Sequence, residues 1–435
     1  MVKNYYYKCD ACETSIRFRF QIGAFNMPIS VYCPKCNCHI EGSIAVDNEN
    51  VVTKSSVLGA HEYDSKDNFA DYVVELSTEF LVNKCVKDSP DTILPSMFLR
   101  SDIFNDEKNQ KRANLLYATS KRFIYINIIE NIYNLLDTEQ IDLLKQYLIM
   151  CSSRFVKCDK KVFPFDDIKN KLDAILASKH FINTLLIPFM TPGTFSGLYD
   201  VMDKKIRDII TKHQSAFKEF LRNIDDYYFD IYWSRIPKFV IEYLKCVNQL
   251  IPIYECYEKF DSVDLNTSGI STISIDDMVV IYKKGYELIC DSIDLLTGLY
   301  NIENFGTYDN FGHASVCDFT EKMNSYSSKY KKYEDATNNN SSLFDNIRGT
   351  LNRVIRNAEG HNSIKINGLE QTVTFINRHK GNVDQETISF LEFGKKCIDV
   401  FIAVLYLWEY YYQLTKFKLS LVDQIQLNYG LGKIK

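Results

Sequence analysis

From about Lys111 onward, apolar residues recur three and four positions apart, with polar residues between them. This spacing places the apolar side chains on one face of a helix, so the pattern predicts a series of amphipathic helices. The pattern continues to Phe260, stops at a stretch rich in Ser, Thr, Gly and Asp, and resumes with a helix that starts near Ser274. A last long helix is predicted from about residue 386 to residue 419.

The first 50 residues have a different pattern, because short runs of β-branched and aromatic residues there alternate with polar ones. Such runs predict β-strands, and a further strand is predicted at residues 72–80. Between them, residues 47–68 are polar and predict a linker or an irregular connection. Two more strand-like runs surround Asn367 and Gly368, a dipeptide that favours a tight turn, and predict a β-hairpin near residues 363–376.

Two pairs of cysteines interrupt the N-terminal strands, with twenty residues between the pairs. The motifs are Cys9-x-x-Cys12 and Cys33-x-x-Cys36. Two such pairs on turns that follow strands supply four thiolates for a tetrahedral zinc ion, and the pattern resembles a zinc ribbon. Because four protein ligands leave no open position for chemistry, we expect a structural zinc. Cys38 and His39 are spare donors that leave the fourth ligand open.

The strand between the two cysteine motifs carries the sequence RFRF, in which Arg17 and Arg19 alternate with Phe18 and Phe20. One hypothesis is that the arginines form a cationic face that touches nucleic acid. The alternative, which we favour, is that the aromatic side chains pack in a core and the arginines are solvated.

Composition and charge narrow the classes of protein. The chain of 435 residues is 46% hydrophobic, which is typical of a globular protein with two or three domains. Its formal net charge of -5 argues against a generally basic surface that binds long nucleic acids. The longest apolar run, at residues 400–408, is too short to cross a bilayer and predicts a buried helix. The first residues do not resemble a signal peptide, and the thirteen cysteines show no disulfide framework, so we expect a cytoplasmic protein with no membrane partner.

The stretch IRNAEGHN, residues 355–362, contains the candidate catalytic residues Arg356, Asn357 and His361. An arginine followed by a polar residue and, a few positions later, by a histidine resembles the signature of HEPN ribonucleases. The asparagine directly after Arg356 strengthens the resemblance. Gly360 does so as well, because it can end the preceding helix and turn His361 out of it.

Short motifs of this kind also occur by chance. Arg207 and His213 have a similar spacing, but they lie within a predicted amphipathic helix, where we interpret them as surface charges. In the alternative interpretation of RNAEGH itself, Arg356 forms a salt bridge, Asn357 caps the helix locally and His361 is exposed at the helix end.

The resemblance implies metal-independent cleavage of RNA by a homodimer in which two motifs face each other. RNA carries its own nucleophile, the 2′-hydroxyl, so the protein has to transfer protons and stabilise the phosphate charge. A histidine suits the first task and an arginine the second. In this picture His361 is the general acid or base, Arg356 binds the scissile phosphate, and Asn357 orients one of them. The products would carry a 2′,3′-cyclic phosphate and a 5′-hydroxyl.

These predictions combine into a mainly α fold, with a helical bundle body, a small N-terminal β zinc ribbon and a short β-hairpin inserted near residues 363–376. The predicted organisation is a zinc ribbon at residues 1–50, a mixed connecting region with a strand at residues 51–110, a helical region at residues 111–260 and a HEPN-like helical bundle at residues 270–420.

The sequence contains no phosphate-binding loop, dinucleotide-binding fingerprint, zinc-protease motif or GxSxG motif of serine hydrolases. The chain therefore shows no recognisable nucleotide hydrolase, dehydrogenase, zinc protease or serine hydrolase. The resemblance to HEPN ribonucleases implies a metal-independent endoribonuclease. A zinc ribbon joined to such a domain resembles abortive-infection and toxin-type defence proteins of bacteria, which implies a regulated toxic effector with a protein regulator or a phage trigger. The alternative is a non-catalytic zinc-ribbon helical scaffold that binds nucleic acid or a protein partner.

Overall fold

The computed structural model describes residues 2–21, 23, 26–46, 53–65, 69–92, 94–100, 106–156, 163–191, 193–224, 226–312, 318–360, 363–379 and 382–429. Helices dominate in these ranges, and smaller β elements lie near the N-terminus and between residues 364 and 389. The predicted mainly α class with a small N-terminal β region is confirmed. None of the helices in these ranges combines the length and the apolar composition that crossing a membrane requires.

The strands are β1 (Val2–Cys9), β2 (Ser15–Gln21), β3 (Met27–Tyr32), β4 (His39–Val46), β5 (Thr53–Leu58), β6 (Ala60–Glu62), β7 (Tyr72–Leu76), β8 (Val82–Asn83), β9 (Val86–Lys87), β10 (Ser268–Gly269), β11 (Ile364–Asn367), β12 (Thr372–His379) and β13 (Asn382–Ser389). The α-helices are α1 (Met97–Arg100), α2 (Asp106–Ser120), α3 (Arg122–Asp137), α4 (Ile141–Cys151), α5 (Lys171–Leu186), α6 (Thr194–Asp200), α7 (Ile206–Asn223), α8 (Asp226–Asp230), α9 (Ile236–Cys246), α10 (Ile251–Cys256), α11 (Ile275–Asp291), α12 (Ile293–Phe305), α13 (Phe319–Asn324), α14 (Lys329–Thr337), α15 (Arg353–Gly360) and α16 (Phe390–Phe417).

The chain forms two compact units, each assembled from separated segments. Unit 1 comprises residues 1–120, 244–283 and 352–399, and unit 2 comprises residues 121–243, 284–351 and 400–435. This grouping differs from the four consecutive segments predicted from the sequence, and the boundaries of those segments stay a prediction.

Unit 1 contains the β-sheets. A five-stranded sheet has the strand order β6-β1-β2-β7-β9, one three-stranded sheet joins β3, β4 and β5, and another joins β11, β12 and β13. β1 and β2 are antiparallel, whereas β2 and β7 are parallel and pair Ile16 with Tyr72. A short ladder between β8 and β10 completes the sheets of the described residues. The polar stretch after β4 contributes β5 and β6 where it is described, so the linker predicted there is partly strand.

The first two of these sheets contribute to one hydrophobic core. Phe18 and Phe20 of β2, Ile29 and Val31 of β3 and Ile40 of β4 are all buried in it. Every second residue of a strand points to the same face, so the alternating pattern of the sequence is what places these side chains in the core.

The predicted hairpin near residues 363–376 is present, but a third strand, β13, extends it. The helix start predicted near residue 386 is therefore wrong, because α16 begins at Phe390. Ser389 and Glu392 form a capping box that fixes this start. Ser389 Oγ accepts a hydrogen bond from Glu392 N at 3.1 Å, and Glu392 Oε2 accepts one from Ser389 N at 2.8 Å.

Unit 2 is built from helices and includes the C-terminal part of α16. Residues 400–408 are buried, as the sequence predicts for the longest apolar run. Phe401 stacks on Tyr243 with ring centroids 3.7 Å apart. Gly285 packs closely as well, since a Cβ atom at that position would lie 2.0 Å from Val400 Cγ1. A glycine is therefore needed where α11 meets α16 in this unit.

A buried ion pair lies in the core of unit 2. The side chains of Lys179 and Glu409 are 3% and 0% exposed, and their Nζ and Oε2 atoms are 3.3 Å apart. Burial lowers the pKa of the Lys179 ammonium, and the Glu409 carboxylate opposes that shift. Lys179 Nζ also donates to Asn183 Oδ1, and Glu409 Oε1 accepts from Gln413 Nε2. Removing either charge would leave the other one buried without a counterion.

We predict that Glu409→Gln lowers the free energy of unfolding by about 3–5 kcal/mol, the usual cost of breaking a buried ion pair. Urea denaturation of the full chain measures this. Lys179→Met combined with Glu409→Leu removes both charges and should recover most of the loss. Glu139→Gln is the matched control, because Glu139 pairs with Lys171 at the surface, and it should change stability little. An equal loss in both single variants would contradict the assignment.

Candidate metal centre and candidate nuclease motif

The two cysteine motifs form turns with the same backbone geometry. Cys9 O accepts a hydrogen bond from Glu13 N, and Cys33 O accepts one from Asn37 N, both at 2.9 Å. Glu13 and Asn37 each adopt a left-handed conformation, with φ of 57° and 60°. In both turns the N–H of a residue four positions later thus donates to the carbonyl of the first cysteine. The chain reverses in this way after β1 and after β3, and each turn carries one CxxC pair.

The structure brings the four cysteines of these turns together. Cys9 Sγ lies 3.6 Å from Cys36 Sγ, and Cys12 Sγ lies 3.6 Å from Cys33 Sγ. All four sulfur atoms lie within 4.8 Å of one another. A tetrahedral site with metal–sulfur bonds of about 2.3 Å places its sulfurs about 3.8 Å apart. The donor set therefore fits a four-coordinate metal ion.

Neither spare donor belongs to this cluster. His39 Nε2 lies 2.9 Å from Ser30 Oγ, and Cys38 is exposed. Among the described residues, the group that could hold a metal ion consists of the four cysteines alone. The structure therefore places all four cysteines, and neither spare donor, in the cluster that could hold a metal ion.

The thiols of the cluster have different acidities in the protein without metal. Burial raises the pKa of Cys33 and of Cys9. Burial would also raise the pKa of Cys12, but hydrogen bonds with the side chain and backbone of Thr14 outweigh it and lower this pKa to about 6. Since metal ligands bind as thiolates, a bound cation would replace the protons of the buried thiols.

The arginines of the RFRF strand do not form a free cationic face. Arg17 pairs with Asp88 at 2.5 Å and Arg19 pairs with Glu75 at 2.6 Å, and both arginine side chains are less than 15% exposed. Arg19 also donates to the backbone oxygen of Leu94. The favoured alternative was right about the phenylalanines, which are buried. It was wrong about the arginines, which are paired and largely buried instead of solvated.

The candidate nuclease motif lies at the end of α15 in unit 1. Asn352 caps this helix, because its side-chain oxygen accepts a hydrogen bond from Val354 N at 2.8 Å. Ile355 and Ala358 are buried, and the helix packs against β12 and β13. The helix is described as far as Gly360, and the end that the sequence predicts there stays a prediction, because residues 361–362 lie outside the described residues.

Two of the three candidate catalytic residues are in contact. Arg356 Nη1 donates a hydrogen bond to Asn357 Oδ1 at 3.3 Å, and both side chains are half-buried. His361 lies outside the described residues, so the structure places Arg356 and Asn357 only. Their contact is compatible with a phosphate-binding arginine and equally with a helix terminus.

The second arginine and histidine pair lies in unit 2. Arg207 is exposed and His213 is half-buried on α7. The helix is not regular there, since His213 has φ of -135° and ψ of 44°. The buried side of α7 is apolar and includes Ile209 and Phe217, so Arg207 fits the interpretation as a surface charge.

Comparison with models of protein families, with curated proteins and with solved structures gives no match. The fold and the site together define a mainly helical protein with a four-cysteine cluster that could hold a metal ion. The resemblance to HEPN ribonucleases rests on the motif itself.

We predict that the purified protein contains one metal ion per chain and that Cys9→Ser and Cys33→Ser each abolish its retention. Elemental analysis after exhaustive dialysis measures the stoichiometry, and thermal unfolding should show a lower Tm for both variants. Cys38→Ser is the matched control, because this neighbouring exposed cysteine lies outside the cluster. A folded wild-type protein without metal, or an equal loss in Cys38→Ser, would refute the assignment.

Proposed function

We propose that this protein is a metal-independent endoribonuclease of the HEPN type whose N-terminal region is ordered by a structural zinc ion. The nuclease proposal rests on the RNAEGH motif and on the hydrogen bond between Arg356 and Asn357, four residues before His361 in the sequence. This hydrogen bond joins the Arg356 guanidinium to Asn357, and the resemblance implies that this asparagine orients a residue of the site.

Zinc is the metal that this donor set favours. Four thiolates in a tetrahedral arrangement are typical of structural zinc sites, whereas magnesium and calcium prefer oxygen ligands. The cluster offers no open coordination position, so its task is to stabilise the fold. We assign it no part in RNA cleavage.

The proposed cleavage uses the 2′-hydroxyl of the RNA as the nucleophile. A histidine removes the 2′ proton, the 2′ oxygen bonds to phosphorus, and the bond from phosphorus to the 5′ oxygen breaks as that oxygen takes up a proton. His361 supplies one of these proton transfers. Arg356 binds the phosphate oxygens, and Asn357 holds the guanidinium in place. The products carry a 2′,3′-cyclic phosphate and a 5′-hydroxyl.

The reaction needs one general base and one general acid, but each motif contains a single histidine. Two motifs facing each other in a homodimer would supply both groups. The dimer is therefore part of the proposed mechanism.

The biological role that we propose is that of a regulated toxic effector in the bacterial cytoplasm, acting in abortive-infection defence. Unregulated RNA cleavage would kill the cell, so a protein regulator or a phage trigger would control it. This role rests on analogy with other proteins that join a zinc ribbon to such a domain.

The second candidate is a non-catalytic zinc-ribbon scaffold that binds nucleic acid or a protein partner. The closed set of four thiol ligands favours it, because such a site orders a fold without chemistry. In this case Arg356 and Asn357 would only stabilise the end of α15.

We predict that the zinc-containing protein cleaves RNA in buffer without added divalent cations. His361→Ala should lower the rate by about 10²–10⁴-fold, because it removes a proton-transfer group. Arg356→Ala should lower it by about 10²–10³-fold, because it removes a stabilising charge. Gel analysis of a labelled RNA gives the rates, and direct labelling of the new 5′-hydroxyl by a polynucleotide kinase identifies the ends.

The double variant Arg207→Ala with His213→Ala is the matched control, since this pair has a similar spacing in the sequence but no proposed role. It should keep the wild-type rate. Unchanged cleavage in His361→Ala would exclude the proposed site, and an inactive wild-type protein would favour the scaffold.

We also predict that the active protein is a dimer of the 50.6 kDa chain. Light scattering coupled to size-exclusion chromatography measures the molar mass in the buffer of the cleavage assay. A strictly monomeric protein that cleaves RNA at full rate would contradict a site shared between two chains.

A further inference from the structure

A cleft of about 520 Å³ opens on the sheet of β3, β4 and β5 in unit 1. Its lining includes Ser30 and Glu41 from the sheet, and Thr272, Asp276 and Asp277 from the region where α11 begins. The volume is that of a small-molecule site. Neither the cysteine cluster nor the Arg356 motif uses these side chains.

The pairing of β3 with β4 brings four functional side chains together on one side of the sheet, and two of them, Ser30 and Glu41, line the cleft. Ser30 lies opposite Glu41, and Tyr32 lies opposite His39. Side chains at alternate positions of a strand share a face, so all four lie on the same side of the sheet. The intervening residues of β3 and β4 point into the hydrophobic core.

Three of these side chains form a chain of contacts. Ser30 Oγ lies 2.9 Å from His39 Nε2, which is hydrogen-bond distance. On the other side of the imidazole, His39 Nδ1 lies 3.8 Å from Glu41 Oε2. A hydroxyl, an imidazole and a carboxylate in this order are the parts of a nucleophile, a base and a group that orients the base. The separation of 3.8 Å is longer than a hydrogen bond, so Glu41 acts on His39 as a nearby negative charge.

The surroundings restrict how these groups can move. The ring of Tyr32 stacks on His39 with centroids 4.8 Å apart and an interplanar angle of 26°. Ser30 is only 6% exposed, yet it lines the cleft. Its backbone N–H donates a hydrogen bond to Ser271 O at 3.0 Å, which fixes the position of the Ser30 backbone. The hydroxyl is thus fixed between the imidazole and the cleft.

The cleft carries negative charge. Glu41, Asp276 and Asp277 line it, and the described lining residues include no lysine or arginine. A substrate with a protonated amine would be attracted to such a lining, whereas a phosphate or carboxylate would be repelled.

We propose that Ser30, His39 and Glu41 form a second active site that hydrolyses small esters carrying a protonated amine. Ser30 is the nucleophile, His39 is the general base, and Glu41 is a positioning residue that acts through His39. This inference is independent of the proposed ribonuclease.

The proposed reaction has two balanced steps. Ser30 Oγ bonds to the carbonyl carbon of the ester while its proton moves to His39 Nε2. The bond from the carbonyl carbon to the leaving oxygen then breaks, and the departing alcohol takes that proton. In the second step water attacks the acyl-serine, His39 accepts and returns a proton, and the acid is released with Ser30 restored.

The test uses an alkyl fluorophosphonate, which forms a phosphorus–oxygen bond with activated serines and releases fluoride. The zinc-containing full chain should gain the mass of one phosphonyl group. Trypsin releases residues 20–35 as one peptide in which Ser30 is the only serine. Mass spectrometry should place the adduct on that serine. Absence of labelling, or an adduct on Tyr32 or elsewhere, would overturn the proposal without requiring a variant.

Variants test the role of each residue. Ser30→Ala should abolish the labelling, and His39→Ala should slow it by about 10²-fold or more. Glu41→Gln should slow it, and Glu41→Asp should recover part of the loss, which a purely structural role would not require. Ser43→Ala and Ser56→Ala are matched controls, because both serines line the same cleft, and they should label at the wild-type rate. Labelling that persists in Ser30→Ala would refute the site.

A pair of competitors tests the substrate class. An amino-acid ethyl ester should protect Ser30 from the fluorophosphonate better than its N-acetylated form, by about tenfold if one charge contact contributes about 1.4 kcal/mol. Equal protection by the two esters would refute the preference for an amine.

Discussion

The four thiols of the cysteine cluster determine how the two N-terminal hairpins meet. Cys9 and Cys12 lie at the turn between β1 and β2, whereas Cys33 and Cys36 lie at the turn between β3 and β4. Thiolates this close repel one another unless a cation lies between them. Because the ligands come from both turns, one metal ion would hold the hairpins together and stabilise the core that they share.

The same junction fixes the register of β3 and β4. Cys33 N donates a hydrogen bond to Cys38 O at 2.8 Å, which closes the turn immediately before His39 begins β4. With the turn closed in this way, Val31 lies in the core and Ser30 faces the cleft. A shift of one residue would exchange the two faces of the strand. The serine site that we infer therefore depends on the turn that carries Cys33 and Cys36 of the cysteine cluster.

The sequence predicts best those features that depend on residues close together in the chain. The CxxC spacing identifies all four cysteines of the cluster, because each turn needs only four consecutive residues. The alternation of apolar and polar residues identifies the N-terminal strands, and the apolar run at residues 400–408 identifies a buried helix. In each case the local pattern and the burial in the fold agree.

Pairings between distant residues could not be predicted in this way. Arg17 pairs with Asp88, 71 positions later in the chain. Its exposure therefore depends on a distant segment, about which the RFRF pattern gives no information. The contact between Ser30 and His39 depends on the register in which two strands pair, which the sequence does not show. His39 was therefore interpreted as a spare metal ligand. Strand β13 was missed because helical and strand patterns overlap at residues 386–389, where only its partner β12 decides the outcome.

The hairpin of β11 and β12, predicted from the sequence as an insertion, connects the cysteine cluster with the candidate nuclease motif inside unit 1. Gly368, in the turn of this hairpin, donates a hydrogen bond to Asn37 Oδ1 at 2.8 Å, and Asn37 directly follows a cysteine of the cluster. A Cβ atom on Gly368 would lie 2.5 Å from Tyr32 Cβ, so only glycine fits this approach. Leu369 packs against the N-terminal core.

Beyond this turn, β12 packs against α15, the helix that carries Arg356 and Asn357. The chain of contacts is thus continuous from the cysteine turn, through Asn37 and the hairpin, to the candidate phosphate-binding arginine. A metal ion at the cluster would order the first link of this chain, although it lies outside the proposed chemistry. The hairpin is therefore better understood as a support of α15 than as an insertion into a helical bundle.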